Sequence, residues 1–187
     1  GVEGSNPRPL IPTGRSDVGI DVALAKFLIY ANASKGRGFG HEVGRELVMQ
    51  FGIFSVSDIT RDPVSGYTPS EAERIDAVVR IALKAEEVGL DVFAIGEHHN
   101  PPFFSSSPTT LLAHIAATTR NLIVTTSTTL ITTNDPVKIA EDYAMLQHLA
   151  GGRVDLMLGR GNTGPVYPWF GKDIRDGIML AVENYGL

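Results

Sequence analysis

An acid and two imidazoles stand side by side at Glu97-His98-His99, directly after the apolar run Asp91-Val-Phe-Ala-Ile-Gly96. Histidine is the side chain whose ordinary pKa lets it take or give a proton near neutrality. The run is short and apolar and follows a helix pattern stopped by Gly89, so it reads as a buried strand. The carboxyl end of such a strand is where parallel α/β proteins bind ligands and do chemistry. Two readings stay open on these residues alone: a proton-handling site, or a cluster that only hydrogen-bonds its neighbouring loops.

Metal binding fits them poorly. Adjacent strand residues point to opposite faces, so His98 and His99 do not readily share one ion. The paired histidines of a zincin helix are absent. His41, His114 and His148 have no ligand spacing, and the last two fall in helical patterns. With no Cys there are no disulfides, thiolate zinc sites or thiol nucleophiles. No G-x-S-x-G elbow marks a serine nucleophile.

A second constellation is Gly159-Arg160-Gly161-Asn162-Thr163-Gly164. It fits the dinucleotide spacing, but Pro165 and Pro168 follow at once, so no long helix can start there to hold a pyrophosphate. The better reading is a strand-end loop in which glycines let backbone approach a ligand and Arg160 presents a fork of N–H donors suited to phosphate. A surface Arg in a flexible loop is the alternative. The threonine run 125–133 is explained mainly by β-propensity, although hydroxyls at a strand end can bind a polar cofactor.

The elements that would position these groups alternate regularly from Met49. Strands are expected at 50–56, 91–96, 122–130 and 154–158, with helices after Ser70, after Ser107-Pro108, after Asp135-Pro136 and over about 173–185. Ser70-Glu-Ala-Glu73 is a capping box, and the helix it opens should bury Ile75, Val78, Val79, Ala82, Leu83 and Val88. Gly151-Gly152 should end the third helix. Such alternation implies an α/β fold with a parallel sheet, either an open doubly wound sheet or part of an eight-stranded β/α barrel. A whole barrel needs about 250 residues, and four units make half of one.

Residues 1–48 have another character. The first 16 are rich in Pro and Gly and read as an irregular tail; 17–33 read as a helix, and 35–44 are Gly-rich again. Residues 21–33 imitate a signal peptide, but Lys26 interrupts the apolar run and Asp17 and Asp21 precede it. Asn32-Ala33-Ser34 is a glycosylation triplet, relevant only to a secreted protein. The 187 residues carry a net charge of -5 with 20% charged side chains, so no basic patch suggests nucleic acid. No apolar stretch reaches the ~18 residues of a membrane span. The expectation is a cytoplasmic protein with neither nucleic acid nor membrane as partner.

From Met49 onward the chain resembles the bacterial luciferase-like flavin monooxygenase family. The resemblance rests on Met49-Gln-Phe-Gly-Ile-Phe54, Gly89-Leu-Asp-Val-Phe-Ala-Ile-Gly-Glu-His-His99, Asp135-Pro-Val-Lys-Ile-Ala-Glu-Asp142, Gly151-Gly-Arg-Val-Asp155 and Gly159-Arg-Gly161. It implies a partial eight-stranded β/α barrel over residues 49–187, the N-terminal half, preceded by a non-homologous extension at 1–48. It implies reduced FMN, or in sister branches a deazaflavin, as cofactor. A separate flavin reductase would supply the reduced FMN, with O2 and a small organic molecule as the reactants. His98 matches the family's acid or base near the flavin. Arg160 matches the Arg that contacts the flavin phosphate, and Ser127-Thr128 a pair joined by a non-proline cis peptide beneath the ring. Glu97, Gly159 and Gly161 are carried over as cofactor-site residues with them. Bacterial luciferase has a reactive Cys where this chain has Gly159, which argues against light emission but not against monooxygenation. The intact protein is expected to be a homo-oligomer. Half a barrel alone should bind flavin poorly and self-associate through the exposed edges of its first and fourth strands.

Overall fold

The computed structural model describes residues 25–32 and 48–187. Strand β1 is Ala25–Asn32 and β2 is Val48–Ser55. Helix α1 (Glu71–Glu87), β3 (Val92–Ile95), α2 (Pro108–Thr118) and β4 (Ile123–Thr126) follow. Then come β5 (Thr129–Leu130), α3 (Pro136–Leu149), β6 (Leu158–Gly159) and α4 (Gly177–Gly186). The main sheet runs β1-β2-β3-β4, and β5-β6 form a second, two-stranded sheet. β2, β3 and β4 are parallel, with Gly52 opposite Val92 and Val92 opposite Ile123, and β5 and β6 are parallel as well. The chain is therefore an α/β fold with parallel strands, as the alternation requires.

Three details depart from expectation. The stretch read as a helix at 17–33 is, over its described part, strand β1, antiparallel to β2 from Ala25 opposite Ser55 to Asn32 opposite Val48. An open strand edge offers a full row of hydrogen bonds, which outweighs weak local helix preference. The first parallel strand therefore does not expose its outer edge, contrary to the expectation above. The third strand is broken, since β4 ends at Thr126 and β5 starts at Thr129; the Ser127–Thr128 peptide between them is cis, as the resemblance implies. The fourth strand shrinks to a bridge between Val154 and Val124 and the two residues of β6. The tail 1–16 and the Gly-rich 35–44 lie outside the described residues.

Helix ends follow their residue chemistry. Ser70 and Glu73 form the reciprocal capping box, and Asp135 caps α3 by accepting from Val137 and Lys138 N–H groups. Ser107 does not cap α2 with its side chain; its hydroxyl lies 2.9 Å from that of Thr110. The inner face of α1 is Val78, Val79, Ile81, Ala82 and Ala85, while Ile75 and Val88 are exposed. With Phe93, Ile95, Leu112, Ile115, Leu122 and Val124 this face makes one apolar core between sheet and helices. Among the described residues no helix is long and apolar enough to cross a membrane.

Two charged side chains lock the layers together. Glu86, near the end of α1, accepts from the N–H groups of Arg120, Asn121 and Leu122 at 2.6–3.0 Å. Burial pushes its carboxyl up, but the three N–H donors outweigh that and hold it below the usual range. Arg153 donates to the carbonyls of Leu122 (2.6 Å), Ala116 (2.9 Å) and Thr119 (3.2 Å). It thereby ties the C-terminal turn of α2 to the start of β4. A planar guanidinium serves this fan of acceptors, and a single ammonium cannot. Arg153→Ala should lower stability by about 2–3 kcal/mol, and Arg153→Lys should recover less than half of the loss. Urea unfolding checks this; a loss under about 0.5 kcal/mol would place Arg153 among ordinary surface residues.

Candidate functional site

β3 ends at Ile95, and the chain turns out of the sheet through Gly96 to Glu97, His98 and His99. Glu97 is 4% exposed. Its Oε2 accepts from Leu130 N–H at 3.0 Å, and its Oε1 from Asn134 Nδ2 at 2.7 Å, with His99 Nε2 at 2.9 Å. Such a carboxylate, saturated with partners from a turn over thirty residues away, pins that turn to the strand end.

His98 is held differently. Its N–H donates to Ser105 O at 2.9 Å. Its ring stacks on Phe103 with centroids 4.0 Å apart and planes 21° from parallel. It also lies close to Gly96, where a Cβ would stand 3.1 Å from Nε2. Among the described residues no group hydrogen-bonds the ring nitrogens, so they remain available to a ligand. Burial holds its pKa below the ordinary histidine value; Glu97 pulls it back up, His99 pushes it down and Asp58 pulls it up. At neutral pH His98 is thus a neutral imidazole. His99 instead meets Phe170 edge-on at 4.8 Å.

Glu97, His98, His99, Asn100, Ser127, Thr128, Leu130, Thr133 and Gly161 line one cavity of about 110 Å³, closed further by Val166 and Tyr167. Ligand pockets usually reach ~300–1,000 Å³, so this wall takes one part of a ligand of cofactor size. A larger groove of about 580 Å³ lies between α1 and α2, but it is mainly apolar and holds none of the sequence-predicted site residues. The cavity thus gathers Glu97, His98, Ser127, Thr128 and Gly161. Gly159 and Arg160 face another groove, of about 390 Å³, with Ile131, Leu158, Ala181, Val182 and Tyr185. Arg160 is exposed. Its carbonyl accepts from Thr132 Oγ1 and Tyr167 OH, each at 2.6 Å, and among the described residues its guanidinium is free.

Gly159 nevertheless shapes the cavity. A Cβ there would overlap Thr128 Oγ1 and stand 2.7 Å from Thr128 Cβ and 3.0 Å from Cγ2. Only glycine lets β6 approach the Ser127–Thr128 wall this closely. Sequence reading missed Asn100, Thr133 and Tyr167. Thr133 was masked by the β-propensity of the whole threonine run, and Asn100 and Tyr167 carry no motif.

The unpaired groups of the cavity bear on a flavin-type cofactor. Thr133 Oγ1 and Asn100 Oδ1 are buried in its lining without a partner. A ring with N–H and carbonyl groups on its edge would satisfy them, and the free guanidinium of Arg160 suits a phosphate. The residues present fit the group.

The luciferase-like monooxygenase family model matches residues 49–187. The chain belongs to that family. Among solved structures it is similar to the monooxygenase RslO1 from Streptomyces bottropensis, with 25% identity and a TM-score of 0.63 over 71% of this chain. It is similar to apo-MsnO8, with 27% identity and a TM-score of 0.59, also over 71%. The oxygenating constituent of 3,6-diketocamphane monooxygenase from the CAM plasmid of Pseudomonas putida, solved with FMN, shares the fold at 24% identity and a TM-score of 0.56 over 62%. The chain spans 40%, 40% and 33% of these three structures in turn. No match was found among curated protein sequences.

Two outcomes follow from this geometry. Gly159→Ala should cost about 1–3 kcal/mol, and combining it with Thr128→Gly, which removes all three contacts, should give a loss smaller than the sum of the two single losses. Full additivity in urea unfolding would mean that the two residues do not meet. For His98 the folded pKa is depressed, so the unfolded chain binds the proton more tightly. Its contribution to stability is complete above the ordinary value of ~6.5 and falls as pH drops from there toward the depressed value. His98→Gln should flatten that part of the stability profile, and an unchanged slope between about pH 7.5 and pH 5 would remove the assignment.

Proposed function

We propose that this member of the luciferase-like monooxygenase family carries the His98 side of a flavin site in an FMN-dependent monooxygenase, on four units of an eight-stranded β/α barrel. The intact enzyme takes reduced FMN from a separate reductase and oxygenates a small organic molecule with O2. The observation that supports this best is the meeting of His98, the Ser127–Thr128 pair and Gly161 in one cavity. Three separated segments supply them, and all three are motifs of the family resemblance.

Bound reduced flavin supplies the electrons that activate O2. The chain's own residues do the rest by position and proton control. Phe103 and Gly96 fix the His98 ring, leaving its nitrogens to a bound reactant. Neutral at pH 7, His98 accepts a proton as base and returns it as acid, the standard task of a positioned imidazole. Glu97 does not touch a ligand through a free oxygen; it positions the 130–134 turn. Ser127 and Thr128 form a wall of the cavity, held close by Gly159. Arg160 serves the phosphate from outside the cavity, which suits a cofactor whose ring and phosphate lie several ångströms apart.

The test is reductase-coupled oxygen uptake by the intact protein with reductase-only turnover subtracted. Wild type should consume O2 in the presence of substrate. His98→Ala should lower turnover about 10²–10⁴-fold while changing FMN affinity less than about twofold. Turnover unaffected by His98→Ala would end the acid–base role. A bound chromophore with the mass of a deazaflavin would replace the monooxygenase reading with hydride transfer on the same site.

A further inference from the structure

The threonine run divides into paired and unpaired hydroxyls. Thr126 and Thr129 bond each other at 2.7 Å, and Thr129 bonds Tyr143 OH at 2.5 Å. Thr132 donates to Arg160 O. Thr133, 7% exposed and lining the His98 cavity, has a buried hydroxyl with no partner. Across the same lining, Asn100 Oδ1 is buried and equally unpaired. Its orientation is fixed, because Asn100 Nδ2 donates to Pro101 O at 2.9 Å and turning the amide over would set oxygen against oxygen. The unpaired Asn100 atom is therefore an acceptor only. Thr133 Oγ1 can donate.

Buried polar atoms without partners are rare because desolvation is not returned by a hydrogen bond. Two in one small lining mark a place where a ligand completes the bonding; Ser57 Oγ and Ser105 Oγ are also buried and unpaired, but they line no part of this cavity. The complement of one acceptor and one donor in the same lining is a ligand that offers both an N–H and a carbonyl. The pyrimidine edge of an isoalloxazine ring has that pattern, and so does that of a deazaflavin. Resting on the flavin reading above, we propose that Asn100 Oδ1 and Thr133 Oγ1 recognise this edge. Asn100 accepts from the ring N–H, and Thr133 donates to an adjacent carbonyl. The pair then contributes to holding the ring but does not distinguish FMN from deazaflavin, which share that edge.

The experiment pairs thermal unfolding of the ligand-free protein with fluorescence titration by FMN and by lumiflavin, which has the ring without the phosphate. Thr133→Val keeps the shape and deletes the orphan hydroxyl. The free variant should melt at the wild-type temperature or above, yet bind both ligands about tenfold more weakly. Thr133→Ser, which keeps the hydroxyl, should bind both within about twofold of wild type. Asn100→Ala should weaken both ligands by equal factors. A lower melting temperature for Thr133→Val would assign the hydroxyl to the fold and overturn the proposal. Unchanged affinity, or an equal loss in Thr133→Ser, would overturn it while leaving the flavin reading intact. Wild type that binds neither ligand at millimolar concentration would overturn the flavin reading itself, and the assigned edge with it.

Discussion

The site depends on one buried carboxylate. Glu97 cannot be taken out of water without donors, and it draws them from Leu130, Asn134 and His99. Asn134 also donates to Leu130 O, so the 130–134 turn is closed on itself and fastened to the end of β3 at the same time. From that turn Ile131 N–H reaches Gly159 O, and Asn184 of α4 reaches Ile131 O. The positions of β6 and α4 therefore trace back to an acid on the second parallel strand's exit. Removing Glu97 would free a turn that carries the cavity wall on one side and the β6 pairing on the other.

Around this centre the polar groups fall into two kinds. Some hold the frame: Glu86 and Arg153 join helices to strand starts, and Thr126, Thr129 and Tyr143 share one buried cluster of hydroxyls. Burial raises the Tyr143 pKa, with the two threonine hydroxyls lowering it in part, so the phenol keeps its proton. Others face inward without a partner or with only an aromatic neighbour, as His98 does on Phe103. Glu86, Arg153 and the threonine–tyrosine cluster are bonded within the chain, whereas the His98 ring, Asn100 Oδ1 and Thr133 Oγ1 in the cavity are not, which is the pattern expected where binding energy is reserved for a ligand.

Much of this was legible in the sequence, and for physical reasons. Period and caps located α1, α3 and β3, because Ser70, Asp135 and Gly89 act on their own backbone and need no distant partner. The strand-end rule pointed to His98, which lines a cavity just past the end of β3. What the sequence withheld depends on long-range geometry. The strand at 25–32 exists through pairing with β2, so its local pattern could mislead toward helix. The break within 122–130 falls at Ser127–Thr128, which carry no Gly or Pro signal for it. Arg160 was grouped with His98 by motif, yet it lines the α4 groove together with Gly159, and only Gly161 of that motif reaches the cavity. Thr133 was indistinguishable from Thr132 by composition; only their partners separate them.

The closeness of Gly159 to Thr128 has an evolutionary consequence. The two positions share one volume, so the history of either is conditional on the other. With threonine at 128, any first side chain at 159, reactive or inert, carries a stability penalty because it lands in an occupied space. Shrinkage at 128 removes that penalty, so 159 varies more freely after it than before. The order of change, and not merely the pair of end states, is written into the packing.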